Sequence, residues 1–201
     1  MIPLPDWTTD YRPAVAPGES YQDYLERAIE DLDAGLAGRL LQNAPLARYF
    51  GHRELVVPGY RRKAEPPPEL FRGLVLPLAL ALLLRQTQVA QGHGPLIVIA
   101  TFRATGGAKN SKHKVNAAID VKPPKNTKAA CRALMVGAGW LWRTHAHLGV
   151  GVGTYGPHMD RTAVVHIDAG ARTSRKTWRH VNGLPRTPAL PKLPPAPWER
   201  G

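Results

Sequence analysis

Three short segments hold most of the histidine and carboxylate chemistry in the C-terminal two-thirds of the chain: residues 111–113 (Ser-Lys-His), 118–120 (Ala-Ile-Asp) and 166–168 (His-Ile-Asp). From Phe71 onwards there are only four carboxylates against nineteen Lys and Arg residues, and two of the four lie in these segments. Imidazole and carboxylate together suit zinc better than calcium or magnesium, which prefer oxygen ligands. The segments therefore indicate a mononuclear metal site with mixed nitrogen and oxygen ligands.

The β-branched composition around Asp120 and His166 predicts that both lie on short strands. A strand places residues i and i+2 on one face, so Asp120 would share a face with Ala118, and His166 with Asp168. His113 lies seven positions before Asp120, which fits neither a helix face nor neighbouring strand positions, so we expect it on the loop entering the strand. Ligands from His113, Asp120 and His166 would leave one tetrahedral position for water, as in catalytic zinc sites. Zinc would lower the pKa of that water towards ~7 and make hydroxide available for attack on a carbonyl.

Spacing alone does not require a metal, because a chain with eight histidines offers many such combinations. In the alternative interpretation, Asp120 pairs with a nearby Lys and His166 is a hydrogen-bonded strand residue. The single cysteine, Cys131, excludes an intramolecular disulfide and any Cys-rich zinc motif. A metal here would depend on His and carboxylate ligands.

The remaining pattern predicts an α+β domain with a small, mainly antiparallel sheet and packed helices. Ser20 and Asp23 resemble a capping box that opens an amphipathic helix. The Leu-rich stretch 69–91 predicts a core helix that begins or kinks near Pro77. A third helix should run from Asn126 or Thr127 to about residue 142. Strands are predicted at 95–101, 118–121, 149–153 and 162–168, and the alternating glycines of the third would allow close approach of backbone or ligand.

At 201 residues the chain has room for one domain and some additional segments at its ends. Three consecutive prolines, at 66–68, mark a boundary because they cannot lie inside a helix or a central strand. We therefore predict an N-terminal helical extension at residues 1–68, a site-bearing domain at 69–180 and a Pro-rich tail at 181–201 that is extended or disordered.

The net charge of +12 and pI near 10.3 favour an anionic partner, such as nucleic acid, an anionic cell-wall polymer or a membrane surface. Eleven of the fifteen acidic residues precede Phe71, so the basic character is concentrated after it. The N-terminus has no basic region followed by an apolar one, so it does not read as a secretory signal. The longest apolar run, 74–84, is shorter than the ~20 residues of a membrane-spanning helix and predicts a buried helix. If the protein acts outside the cytoplasm, something else must deliver or release it.

Residues 111–120 (SKHKVNAAID) resemble the Ser-x-His-x-x-Gly-x-Ala-x-Asp motif of the zinc D-Ala-D-Ala carboxypeptidases and L-Ala-D-Glu or murein endopeptidases, whose fold is shared by hedgehog signalling domains. Upstream, residues 95–103 resemble the family's strand ending in an Arg. Downstream, residues 164–168 with Arg172 and Trp178 are similar to the closing His-x-Asp, Arg and Trp pattern of the murein-endopeptidase branch. The resemblance covers roughly Leu70 to Trp178, with all blocks in the same order.

The resemblance implies that His113, Asp120 and His166 are zinc ligands. It implies that Arg103 holds a substrate carboxylate or a developing oxyanion, with a structural ion pair as the alternative. Ser111 would form a hydrogen bond within the site or merely cap the loop.

The chain departs from the family pattern at two positions. Asn116 stands where the family usually has Gly, so we expect this turn to use the tolerance of Asn for positive φ. Ala163 stands where many members carry an acid, which leaves the general base open. Asp168 is the first candidate, since it could reach a zinc-bound water or orient the ligand imidazole. Asp160 is the second candidate, and His158 could stabilise an oxyanion or simply be an exposed loop residue.

The sequence thus predicts a zinc-dependent peptidase with one zinc ion that hydrolyses an amide bond of the peptidoglycan stem peptide or cross-link. Its basic surface would hold the anionic wall, and delivery could follow release at lysis, as for an endolysin, or attachment to a phage-like particle. The alternative is a non-catalytic, zinc-containing cell-wall-binding or virion structural module on the same fold. A nucleic-acid-binding role is a third interpretation, without a zinc-finger or RNP-like motif to favour it.

Overall fold

One sheet carries both predicted strands of the metal site in its centre. The computed structural model describes residues 13–35, 50–56, 65–106, 109–145, 150–155, 164–169 and 177–180. Its strands are β1 (Ile97–Ala100), β2 (Ala118–Lys122), β3 (Gly151–Tyr155), β4 (Val164–Asp168) and β5 (Thr177–His180), in the order β1-β2-β4-β3-β5. All neighbours are antiparallel except β3 and β5, which are parallel. The α+β class with a small, mainly antiparallel sheet is confirmed.

The helices of the described residues are α1 (Tyr21–Gly35), α2 (His52–Leu55), α3 (Val75–Ala90) and α4 (Lys128–His145), together with 3-10 helices at Pro68–Leu74 and Lys112–Val115. Helices α3 and α4 pack against each other and against the sheet, while α1 packs on α3 and on the first 3-10 helix. Apolar side chains of all these parts form one buried cluster.

The Leu-rich helix α3 is buried on nearly all faces, as its composition predicts. Pro77 is the third residue of the helix, where a missing backbone N–H costs no intrahelical hydrogen bond. The segment Pro68–Ala90 is long and apolar enough to cross a membrane, but 67% of its most apolar window is buried inside the protein. In this fold it is the central core helix.

Local capping explains where α1 and α4 begin. The backbone N–H of Asp23 donates to Ser20 Oγ (3.2 Å), and Ser20 Oγ donates to Asp23 Oδ2 (2.6 Å). The N–H of Ala130 donates to Thr127 Oγ1 (3.2 Å). Both side chains satisfy amide groups that would lack partners in the first turn of a helix. The predicted starts of the two helices are therefore confirmed.

Helix α1 contributes to the same core as the sheet. The apolar side chains of its described part are buried, namely Tyr21, Tyr24, Leu25, Ala28 and Ile29. The predicted domain boundary at Pro68 stays a prediction, although α1 and the sheet share one core across it. The tail at 181–201 lies outside the described residues.

Candidate metal centre

Strand register brings the first two predicted ligands together. Asp120 on β2 lies directly opposite His166 on β4, and Ala118 lies opposite Asp168. The alternate residues of both strands, such as Ile119, are fully buried in the apolar core on the other face of the sheet. Asp120, His166 and Asp168 consequently project from one face, as strand alternation predicts.

His113 reaches the same face from the 3-10 turn Lys112–Val115. The turn ends at Asn116, whose φ of 51° and ψ of 30° are left-handed, so the predicted positive φ is confirmed. The backbone N–H of Ala117 closes the turn by donating to the carbonyl of Lys112 (2.9 Å). The reversal leaves the chain pointing into β2, and His113 is only 2% exposed.

The hydrogen bonding of His113 suits a metal ligand. Its Nδ1 donates to the carbonyl oxygen of Thr101, which can only accept, so the neutral ring carries its lone pair on Nε2. That Nε2 lies 3.2 Å from Asp120 Oδ2 and makes no hydrogen bond. A lone pair facing a carboxylate oxygen in a buried site is unfavourable unless a proton or a cation lies between them. The arrangement matches a ligand imidazole whose other nitrogen is fixed by a carbonyl group.

His166 is held at both ring nitrogens. Its Nδ1 lies 2.7 Å from Asp120 Oδ1, and its Nε2 lies 3.1 Å from Asp168 Oδ2. Since Asp168 occupies the Nε2 side, Nδ1 is the nitrogen that faces the cluster. One possible ligand atom from each of His113, Asp120 and His166 lies within 4.8 Å of the others. Three buried donors from two strands and a turn therefore converge on a volume that one ion could fill.

The electrostatics of the cluster favour an ionised carboxylate between imidazoles. Burial by itself would raise the pKa of Asp120, but the hydrogen bond with His166 and the electrostatic interactions with the imidazoles of His113 and His166 outweigh it and hold that pKa well below its usual range. Burial would lower the pKa of His166, but Asp120 and Asp168 outweigh it and raise that pKa. The centre thus attracts positive charge, whether a proton or a metal cation.

Arg103 and Ser111 lie beside the cluster. Arg103 Nη2 forms an ion pair with Asp120 Oδ2 (3.0 Å), and its backbone N–H donates to the carbonyl of His113 (3.0 Å). The structural ion pair considered from the sequence is therefore present, with Arg103 in place of a Lys as the partner of Asp120. The carbonyl of Ser111 accepts the N–H of Lys114 (3.1 Å), whereas its side chain makes no capping hydrogen bond.

The remaining predicted site residues are distributed unevenly. Asp168 is in the site, 1% exposed and bonded to His166. Asp160 and His158, like Arg172, lie outside the described residues. Trp178 on β5 pairs with Gly153 on β3, and Gly153 also lies opposite His166 on β4.

Thr101 contacts the candidate site, and sequence reasoning missed it. Its carbonyl accepts from His113, and its hydroxyl donates to the carbonyl of Leu55, so the residue is held from both sides. The register of β1 against β2 shifts between Val98 and Ala100, and an irregularity of this kind can re-aim the chain beside a site. A backbone carbonyl leaves no signature in the sequence, since every residue has one.

Comparison with protein-family models, curated proteins and solved structures finds no match to this chain. The family resemblance therefore depends on the short sequence motifs alone. The convergence of His113, Asp120 and His166 is independent of it, because it follows from the distances between their ligand atoms.

Proposed function

We propose that this protein is a zinc-dependent peptidoglycan peptidase that hydrolyses an amide bond of the murein stem peptide or cross-link. The observation that carries the proposal is the convergence of His113, Asp120 and His166, with the Nε2 of His113 facing Asp120 and lacking a hydrogen bond. The choice of zinc comes from the donor set, and the choice of substrate comes from the family resemblance.

The described residues of the centre are suitable ligands for zinc and are compatible with amide hydrolysis. His113 Nε2, Asp120 and His166 Nδ1 would hold the ion, and bound zinc would supply Lewis acidity for carbonyl polarisation and activation of water. The Thr101 carbonyl fixes the ring of His113. Arg103 pairs with the carboxylate of Asp120, which places its guanidinium beside the centre, where it could hold a substrate carboxylate or a developing oxyanion.

The position of Asp168 supports an orienting role for this residue. It bonds to the ring nitrogen of His166 that faces away from Asp120, as outer carboxylates do in carboxylate–histidine–zinc arrangements. Proton transfer during hydrolysis would then fall to a different group, and Asp160 remains the candidate for the general base.

Positive charge near the centre suits an anionic polymer. Lys109 is exposed, Lys112 and Lys114 are partly exposed, and all three belong to the segment that carries His113. The net charge of +12 would draw the protein to an anionic wall. We propose that it acts at the wall or in the periplasm after release at lysis or delivery by a phage-like particle.

One observation favours a second candidate, a non-catalytic zinc-containing wall-binding or virion structural module. Both described carboxylates of the centre are already engaged, Asp120 by Arg103 and the imidazoles, and Asp168 by His166. A centre without a general base would bind metal and substrate without turnover.

The test is digestion of purified murein by the full chain loaded with zinc, followed by mass spectrometry of the muropeptides, with His113→Ala as the control. We expect one zinc per chain, new amino termini or released D-alanine, and loss of both metal and products in the variant. Stoichiometric zinc with wall binding but no product supports the binding module. Absence of stoichiometric zinc refutes the proposal.

A further inference from the structure

Asn116 joins the 3-10 turn Lys112–Val115, which carries His113 and is called the metal-binding turn below, to the N-terminal part of the chain. Its side chain is completely buried. Oδ1 accepts a hydrogen bond from Tyr21 Oη on α1 (3.1 Å), and Nδ2 donates to the carbonyl of Leu70 in the first 3-10 helix (3.0 Å). These partners are 95 and 46 residues away in sequence, so both contacts are tertiary.

The same residue sets the direction of the chain between two proposed ligands. Its N–H donates to the carbonyl of His113 (3.2 Å), and its left-handed conformation turns the chain towards Asp120 four residues later. A glycine would adopt this conformation at less cost. What asparagine adds is the pair of side-chain hydrogen bonds.

The surroundings of Tyr21 hold its hydroxyl at Asn116. It is 1% exposed, and its ring packs against Phe71 with centroids 4.9 Å apart. Burial raises the pKa of its hydroxyl, so the group stays neutral and retains the proton that it donates. If that proton were missing, the buried Oδ1 of Asn116 would lose its partner.

We propose that Tyr21 and Asn116 are positioning residues for the metal centre, and that α1 is a necessary part of the site. The inference rests on the proposed metal function and extends it: the helix keeps the turn in the conformation that aims His113 at Asp120. Helix α1 would thus contribute to metal affinity although it lies far from the ligands in sequence.

The experiment compares Tyr21→Phe with Tyr24→Phe in the full chain. The control is matched, because Tyr24 lies on the same helix, packs against Phe71 (5.8 Å) and donates its hydroxyl to the carbonyl of Pro13 (3.1 Å) instead of to Asn116. Affinity for Zn²⁺ is measured by chelator competition, and the ligand geometry is read from the visible spectrum of the Co²⁺-loaded protein.

We expect Tyr21→Phe to weaken Zn²⁺ binding about tenfold, the lower end of the effect of removing a partner that orients a ligand, and to alter the Co²⁺ spectrum. Tyr24→Phe should lower thermal stability about as much as Tyr21→Phe does, but it should leave the Zn²⁺ affinity and the Co²⁺ spectrum unchanged. Asn116→Gly, which keeps the left-handed conformation and removes both hydrogen bonds, should weaken binding at least as much as Tyr21→Phe.

Two results would overturn the inference: wild-type affinity and spectrum in Tyr21→Phe, or equal weakening in both tyrosine variants. Failure of the proposed function looks different, since the wild-type chain itself would then bind no stoichiometric metal. In that case amide hydrogen exchange decides the role of the contact in the turn. Faster exchange at Asn116 and Ala117 in Tyr21→Phe alone supports it, and unchanged exchange refutes it.

Discussion

Gly73 offers a sharp test of how the 3-10 helix Pro68–Leu74 supports the turn that carries His113. A Cβ added at this position would lie 2.7 Å from the carbonyl oxygen of Val115 and 2.8 Å from that of Asn116. Real Cβ atoms essentially never come this close. Both obstacles are backbone atoms, so the Gly73→Ala variant cannot relieve the clash by rotating a side chain.

The cost can be worked out from these contacts. Overpacking of this kind costs about 1–3 kcal/mol, and the lower entropy of an unfolded chain with Ala returns about 0.4–1 kcal/mol. The midpoints of these two ranges, about 2 and about 0.7 kcal/mol, predict that Gly73→Ala lowers the free energy of unfolding by about 1.3 kcal/mol. For a chain of this size the melting temperature should fall by about 3–5 °C. The turn should also shift, and zinc affinity should fall with it.

Gly137 in the interior of α4 provides the matched control. A Cβ there would lie 2.8 Å from Leu84 Cδ2, the end of a side chain that can rotate away. Replacing a helical Gly by Ala gains about 0.5–1 kcal/mol, and displacing a leucine rotamer costs about the same. Gly137→Ala should leave the free energy of unfolding within about 0.5 kcal/mol of wild type.

Urea unfolding of both variants, with unchanged m-values, gives the two free energies directly. Chelator competition then reports zinc affinity, which only Gly73→Ala should lower. A Gly73→Ala variant as stable as wild type, or a Gly137→Ala variant that loses more stability than Gly73→Ala, would contradict the predicted backbone clash.

Two further predictions concern the charges of the centre. Asp168→Ala should weaken zinc binding about 10–100-fold, because it frees the ring of His166, whereas lost turnover with unchanged affinity would instead make Asp168 the general base. In the metal-free protein, the depressed pKa of Asp120 gives stability that is present above its ordinary value of 3.8 and lost as pH falls. The raised pKa of His166 gives stability that is present below 6.5 and lost as pH rises. In chelator-treated protein, the Asp120–His166 pair should therefore stabilise the fold most between pH 3.8 and pH 6.5. Asp120→Asn should flatten the profile of melting temperature against pH.

Much of the local structure could be read from residue patterns. Ser20 and Thr127 cap the helices that they were expected to start. Strand alternation correctly placed His166 and Asp168 on one face. Asn116 has the positive φ expected at the position of a family glycine. These features depend on residues that are close together in the sequence, so they can be predicted without the tertiary structure.

Other elements were not predicted because their stability comes from distant partners. The short strand β5 contains Arg179 and His180, has no clear alternation, and is recognisable only by its parallel pairing with β3. Helix α2 is a single turn, and its last residue, Leu55, matters because its carbonyl receives the Thr101 hydroxyl.

For the candidate metal centre, sequence alone determined the donor types, the faces of the two strands and the turn that carries His113. Only the tertiary structure decided that Asp120 stands opposite His166, since side-chain alternation defines the two faces of a strand but not the partner or the register. It also brought the carbonyl of Thr101 to His113 and the hydroxyl of Tyr21 to Asn116. One apolar core packs α1, α3 and the sheet together, and a polar group buried in such a core needs a hydrogen-bond partner, which these two contacts provide.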